Sequence, residues 1–436
     1  MIKEIQHCRI CGSADLVPVT HLGCQALTGW FPRTRDEEVP VAPLELVKCD
    51  DGHPQRCGLV QLRHSFDPRL IYGDRYGYRS GLNTSMREHI AKTIADLRSR
   101  IRLEEGDVIV DIGSNDGTLL GNFEAGRFQL IGIDPTADKF RRYYRDDIMT
   151  VPEFFHPGQL NGILGDQKVK LITALSMMYD LEDPQTFMSQ VRELLHRGGM
   201  WLIEQSYMPS MINGTAYDTI CHEHLEYYGL KQIKWMADRA GLKIIDVYFN
   251  HINGGSFAVV FARDDAAYPE AGQLISKILQ QESRQQFDST QPFVAFEKAV
   301  RQHRQKLINT LDALRQEGAT VLGYGASTKG NVLLQYCGLG PAEIPLILEI
   351  NEDKFDCFTP GTGIPIVCED AMARINPDYL LVLPWHYKDM IIRKERAFLQ
   401  KGGGLIFPLP AVSLKQSTPK PQATHERSAK LSPGCR

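Results

Sequence analysis

Apolar residues fall along this chain in two rhythms. Between about residues 102 and 268, the short apolar runs VIVDIG (108–113), LIGIDP (130–135), LITALSM (171–177) and MWLIEQS (200–206) alternate with amphipathic stretches. Runs of that kind predict a parallel sheet with crossover helices. IIDVYFN and SFAVVFARD flank the turn sequence HINGG and predict a closing antiparallel pair. The α/β rhythm restarts over 313–412 with TVLGYGA, LILEIN, YLLVLPW and GGLIFPLP. Residues 269–312, polar and rich in Gln, Arg and Glu, predict a helical connector packed across domains or a solvated surface helix. Upstream, NTSMREHIAKTIADLRSRI (83–101) repeats its apolar residues at helical spacing, with Asn83 or Thr84 placed to cap it. It predicts a bridging helix within 73–101. Residues 1–72 form a separate small module, and the polar, Pro/Ser-rich 413–436 read as a disordered tail without a catalytic role. The fold class is therefore α/β: a Rossmann-like core between an N-terminal module and a second Rossmann-like domain.

Composition narrows the classes of function. The 436 residues fit two or three domains. A formal net charge of −4 and no evident basic face argue against a nucleic-acid partner. No stretch approaches the ~20 consecutive apolar residues of a membrane helix, and MIKEIQHCRICG has no signal-like apolar core. The expectation is a cytoplasmic protein without a membrane partner, monomeric or a weak homodimer.

Five of the ten cysteines, Cys8, Cys11, Cys24, Cys49 and Cys57, crowd the first sixty residues. Cys8-x-x-Cys11 is half of a tetrahedral Zn2+ site. Cys49 and Cys57 complete it if the intervening DDGHPQR loops out, and His53 or Cys24 could replace one ligand. Nothing suggests an open coordination position, so a closed structural site is expected. The alternative is a set of buried, unliganded thiols.

The stretch VIVDIGSNDGTLL (108–120) runs from a buried strand through Asp111 into the small-residue loop Gly113, Ser114, Asn115, Asp116 and Gly117, with a helix expected near Thr118. Glycines let the backbone approach a ligand closely. Roughly twenty residues on, a second strand ends in Asp134, placed to accept hydrogen bonds from ribose hydroxyls. The loop is not G-x-G-x-x-G, which weakens a dinucleotide reading. A methyl donor carries an ammonium and a sulfonium instead of a pyrophosphate, and Asp111 suits such a cation. S-adenosylmethionine (SAM) is the expected cofactor, on a class I SAM methyltransferase core. Pro135, Phe154 in VPEFF, and Ala174 and Ser176 complete the candidate set. The plainer alternative is a structural turn with a capping Asp.

YDTICHEHLEYYGL (217–230) concentrates Asp218, Cys221, His222, Glu223, His224 and Glu226 among Tyr217, Tyr227 and Tyr228. Two imidazoles around a carboxylate let one His be oriented as a base near neutral pH. The spacing is not H-E-x-x-H, so a metalloprotease reading fails. A metal pair or a purely structural cluster are the other readings.

These motifs, with CGLVQL (57–62), YGYRSGLN (76–83), NGGSFAV (253–259), GYGASTKGNVLLQYCG (323–338), PGTGIPI (360–366) and LPWHYKD (383–389), run nearly end to end. Together they resemble the nucleotide-sugar C-methyltransferases of deoxysugar biosynthesis. The resemblance implies three parts: a zinc module, a SAM-binding core and a C-terminal domain that helps hold a nucleotide sugar. It implies that His222, Glu223, His224 and Tyr76 or Tyr78 surround the reacting carbon, with His224 the favoured base. Tyr179, Asn253, Ser327, Thr328, Lys329, Asn331 and His386 are the candidate substrate contacts. Ser327, Thr328 and Lys329 also suit a diphosphate on their own chemistry, although GYGASTKGN is not a Walker loop and a plain strand–helix turn is the alternative. The chain departs from the family pattern where Cys221 replaces a Tyr before His-Glu-His, and where MMYDLED, with Tyr179 and Asp180, replaces a His-bearing loop. The departures keep other outcomes open: O- or N-methylation of a related sugar or small molecule, or a non-catalytic zinc- and SAM-binding protein.

Overall fold

The computed structural model describes residues 2–50, 52, 56–73 and 76–416. His53 and residues 417–436 lie outside the described residues. The N-terminal part carries strands β1 (Leu16–Ala26), β2 (Val41–Cys49) and β3 (Val60–Leu62). The bridging helix α1 (Thr84–Arg98) follows, and Asn83 Oδ1 caps it by accepting from the Ser85 amide at 3.0 Å. Five core strands come next, β4 (Val108–Ile112), β5 (Gln129–Ile133), β6 (Ile148–Val151), β7 (Val169–Leu175) and β8 (Leu195–Ser206), followed by the two-residue β9 (Glu226–Tyr227). Helix α2 (Leu230–Ala240) leads into β10 (Leu242–Asn250) and β11 (Ser256–Arg263). The connector forms two helices, α3 (Gly272–Arg284) and α4 (Gln291–Gln316). The last part contains β12 (Val321–Tyr324), α5 (Thr328–Cys337), β13 (Ile347–Glu349), β14 (Ile366–Cys368), β15 (Tyr379–Val382), β16 (Gly404–Phe407) and β17 (Ser413–Gln416).

The core sheet has the order β10-β11-β8-β7-β4-β5-β6. The last five strands are parallel, and β10 and β11 form the expected antiparallel closing pair. Alternation along β4 sends Val108, Val110 and Ile112 to one face, while Ile109 meets Ile90, Ile94 and Leu97 of α1 on the other. The C-terminal sheet, β14-β13-β12-β15-β16-β17, is parallel except for β17. That edge strand corrects the expected tail boundary, because pairing with β16 extends the sheet through Gln416.

A second correction concerns the helix expected near Thr118. Only a short 3-10 turn forms, at Leu120–Asn122. The Asn122 side-chain amide donates to the Thr118 and Leu119 carbonyls at 2.8 and 3.3 Å, taking acceptors that a continuing α-helix needs.

Strand β9 does not join the core sheet. It adds to the N-terminal one, in the order β9-β3-β2-β1. The segment just after His222–Glu223–His224 is therefore an edge strand of the N-terminal module. Helix α4 packs across the parts. Its Phe293, Phe296, Val300 and Leu307 share one core with Val19 and Leu22, Met208 and Met211, and Leu333 and Ile406. Among the described residues no helix is long and apolar enough to cross a membrane.

Candidate functional site

Cys8, Cys11, Cys49 and Cys57 converge, with their sulfurs all within 4.8 Å of one another. Cys8 Sγ lies 3.4 Å from Cys57 Sγ, and Cys11 Sγ lies 3.5 Å from Cys49 Sγ. Four thiolates around a tetrahedral zinc at ~2.3 Å sit about 3.8 Å apart, so the donor set fits that ion. Cys24 is exposed and outside the group, so it replaces none of the four.

At the carboxyl ends of the parallel strands a cleft of about 330 Å3 opens between the N-terminal module and the core. Gly113, Asn115, Asp134, Pro135, Phe154 and Ser176 of the candidate cofactor set line it. Gly113 has φ +76°, and a Cβ there would meet Met177 at 3.0 Å, so the backbone needs glycine at the cleft wall. Asp134 accepts from the Asn115 amide at 2.9 Å and the Thr136 amide at 2.7 Å, which ties the loop to the end of β5. The lining combines apolar Ile112, Ile133 and Phe154 with six acidic residues: Asp134, Glu153, Asp180, Glu182, Glu204 and Glu223. No lysine or arginine lines it among the described residues. Such a lining fits a ligand that joins an aromatic base to cationic groups, as SAM does.

Other members of that set act behind the wall. Asp111 turns away from the cleft and accepts from the Thr173 hydroxyl at 2.6 Å, and burial pushes its carboxyl up to about 7. Its expected role opposite a cation is therefore not supported by its position. Asp116 accepts from the Gly81 amide at 2.8 Å, and Asn115 accepts from the Ser80 amide at 2.9 Å. The loop thus grips the YGYRSGLN segment, which brings Tyr76 and Tyr78 to the cleft. Gly117 packs under the Tyr144 ring, and Ala174 is enclosed in β7.

The His-Glu-His segment is held from both sides. The Leu225 amide donates to the Tyr179 carbonyl at 2.7 Å, and the Leu62 amide of β3 donates to the Leu225 carbonyl at 2.8 Å. His224 Nδ1–H donates to the Thr219 carbonyl at 2.9 Å, which leaves Nε2 as the lone-pair nitrogen. Its ring centroid lies 4.3 Å from that of Tyr179. Burial, reinforced by Lys329, pushes His224 down to about 3, so the ring is neutral at working pH. His222 donates from Nε2 to the Ala42 carbonyl at 3.3 Å, its Nδ1 has no partner, and burial pushes it down to about 4. Glu223 accepts from the Thr28 hydroxyl at 3.2 Å, and burial raises its carboxyl. Cys221 is fully enclosed and its thiol is pushed up by burial, so the structure gives it a packing place and not a reactive one.

The C-terminal domain packs against the N-terminal module and the reactive segment, through Asn331 on Thr28 and Trp385 on Asp218. Ser327 caps α5 by accepting from the Gly330 amide at 3.0 Å. Half-buried Lys329 donates to the Asn253 carbonyl at 3.0 Å and acts electrostatically on both His224 and His386. His386 Nδ1 is buried without a partner, and burial pushes that imidazole down to about 3. Thr328 approaches Gly29 of the N-terminal module. Asn331 is a correction: it is wholly buried and spends its amide on the Thr28 carbonyl at 2.7 Å, holding domains together rather than facing the cleft.

Four further side chains stand here outside the candidate set: Tyr72, Asp180, Glu204 and Trp385. Tyr72 and Asp180 meet in the cleft. Glu204, on its floor, is fixed by His89 at 2.7 Å and Asn250 at 2.9 Å. Trp385 donates to Asp218 at 2.7 Å. The only sequence signal for any of these was Asp180 standing where the family carries a His.

Comparisons with known proteins agree on the parts. Family models described as a zinc binding domain, a methyltransferase domain and a C-methyltransferase C-terminal domain match residues 8–72, 86–247 and 251–410. The C-methyltransferase NovU of Streptomyces niveus is 30% identical over 413 residues, which cover 94% of this chain and 97% of NovU. Among solved structures, an S-adenosylmethionine-dependent methyltransferase from Clostridium acetobutylicum matches at 12% identity and TM-score 0.33, over 41% of this chain and 92% of its own. The CcbJ methyltransferase from Streptomyces caelestis matches at 16% identity and TM-score 0.32, over 45% and 93%. The three consecutive domain matches and the end-to-end relationship to NovU carry the assignment: the chain belongs to the C-methyltransferase family, SAM-dependent enzymes with a zinc-binding N-terminal domain, a methyltransferase core and a C-terminal C-methyltransferase domain.

Proposed function

We propose that the protein methylates a carbon next to a keto group of a nucleotide-linked deoxysugar. The observation that carries this reading is the state of His224. Its Nδ1 is committed to Thr219, its ring is fixed against Tyr179, and burial keeps it neutral. A carbon nucleophile forms only when an α-proton is removed, and a neutral imidazole with a free Nε2 is the group to take it. Negative charge developing on the enolate raises the affinity of that nitrogen for the proton as it moves. Tyr76 and Tyr78 supply polar support from the N-terminal segment.

Gly113, Asn115, Asp134, Pro135, Phe154 and Ser176 would hold SAM, which would supply an electrophilic methyl group. The sugar would lie between His224 and the C-terminal domain. Ser327, Thr328 and Lys329 at the start of α5 present hydroxyls, backbone N–H groups and a cation suited to a diphosphate. In this reading Asn253, His386 and Tyr179 would be further contacts to the sugar.

The test uses the purified protein with candidate nucleotide keto-sugars. With SAM, carbon NMR of the product should show a methyl on carbon; a methyl on oxygen or nitrogen would overturn the carbon-acceptor reading. Without SAM, the α-hydrogen should exchange with deuterium from solvent. Unchanged exchange in His224→Ala would show that the base lies elsewhere.

A further inference from the structure

Asp180 sits on the short turn after β7, next in sequence to the Tyr179 that holds His224, and it lines the cleft. Its Oδ1 is buried and has no hydrogen-bond partner among the described residues. Among the described residues, the hydrogen-bonding group that acts on the carboxyl is the Tyr72 hydroxyl. Facing it are Tyr72 and Tyr76 from the segment after the zinc module, Tyr179 on its own turn, and Cys221, Glu223, Glu226 and Tyr227 from the reactive segment. No cation is among these groups. A buried polar atom without a partner costs free energy unless a ligand satisfies it.

We propose that Asp180 is a catalytic hydrogen-bond donor, whose carboxylic acid O–H holds the keto oxygen of the acceptor while the enolate forms. This rests on the keto-sugar reading above. The step balances as follows. The α C–H bond breaks and its proton goes to His224 Nε2. Its electron pair becomes the new C=C bond, and the carbonyl π pair moves onto oxygen. Asp180 donates to that oxygen and keeps its proton, so it needs no second base. Burial and the neighbouring Glu223 both raise its carboxyl well above the usual carboxylate range, which favours the protonated form that can donate. An acid kept neutral by its surroundings gives stronger oxyanion support than a solvated donor, because no water has to reorganise.

The experiment follows deuterium exchange into the α-position of dTDP-4-keto-6-deoxyglucose by proton NMR, without SAM, using the full-length zinc-loaded protein. Asp180→Ala should slow exchange on the order of 10²-fold, with KM changed by only a few fold. Asp180→Asn, whose amide still donates, should recover much of that loss. Infrared difference spectra of wild type against Asp180→Asn at pH 7 should show a protonated-carboxyl stretch that is lost in the variant. Exchange in Asp180→Ala within about threefold of wild type would overturn the proposal, as would an ionised carboxylate signal. A loss confined to KM would overturn it too, because it would mark Asp180 as a binding group only. If the wild-type protein exchanges no keto-sugar at all, the underlying reading fails first, and this one with it.

Discussion

At Gly117 a single added carbon is enough to unseat the cofactor loop. The residue has φ +73°, and a Cβ would lie 2.6 Å from the Tyr144 ring. That ring cannot retreat freely, because its hydroxyl is hydrogen-bonded to Ser114 Oγ and to the Asn115 carbonyl, each at 2.8 Å. Gly117→Ala should therefore cost about 1–3 kcal/mol in denaturant unfolding. It should also weaken binding of S-adenosylhomocysteine in calorimetry, since Asn115 lines the cleft. Asp180 makes a residue-scale prediction with a sign. Its folded carboxyl holds a proton that the unfolded chain gives up above pH ~4, so wild-type stability falls as pH rises through that window, by at most ~1.4 kcal/mol per pH unit. Asp180→Asn has no such proton to lose. Its unfolding midpoint should gain on wild type between pH 5 and pH 8, and a gap constant with pH would show that Asp180 ionises normally in the folded protein.

At the scale of elements, the zinc cluster and the His-Glu-His segment are mechanically one piece. The carbonyl of Cys57 accepts from the Gln232 side chain of α2 at 2.9 Å. Arg9, between Cys8 and Ile10, reaches Glu182 at 3.3 Å and Glu226 at 3.7 Å. Strand β9 then completes the module's sheet against β3. Stripping the metal with a strong chelator should raise amide hydrogen exchange over 221–228 by at least about tenfold while β4, β5 and β7 stay protected. Uniform protection, or uniform loss, would contradict this coupling. Little of it was legible beforehand. The long apolar runs of β4, β5, β7 and β8 declare themselves because burial on both faces demands them. The four cysteines declare themselves by type and spacing. A two-residue strand such as β9 has no periodicity to read, and its partner lies over 160 residues away in the chain. The 3-10 turn at Leu120–Asn122 defies the helix expectation because a small-residue loop after a strand usually opens a helix, and here the Asn122 side chain takes the carbonyls a helix needs. The pairing of Tyr72 with Asp180 exists only in the folded chain, so the sequence could show an unusual residue there but not its partner.

Across the whole molecule, three sequence regions close around a single shared core, and α4 is the element common to all of them. Its Phe293 and Phe296 are both 2% exposed and belong to the cluster that includes Leu22, Met211 and Ile406. Farther along α4, buried His303 accepts at Nδ1 from the Tyr217 hydroxyl at 3.1 Å and donates from Nε2 to the Pro408 carbonyl at 2.5 Å. One imidazole thus joins the start of the reactive segment to the end of the C-terminal sheet. Domains that meet only at polar, exposed interfaces melt separately; parts that bury one another's apolar faces do not. Phe293→Ala should cost about 3–5 kcal/mol, because it leaves a cavity where three parts meet. In calorimetry the zinc-loaded protein should show one transition, and the substitution should shift that whole transition to lower temperature. If a second transition instead stays at the wild-type temperature, α4 is a connector lying on separate domains and the active cleft does not depend on their shared core.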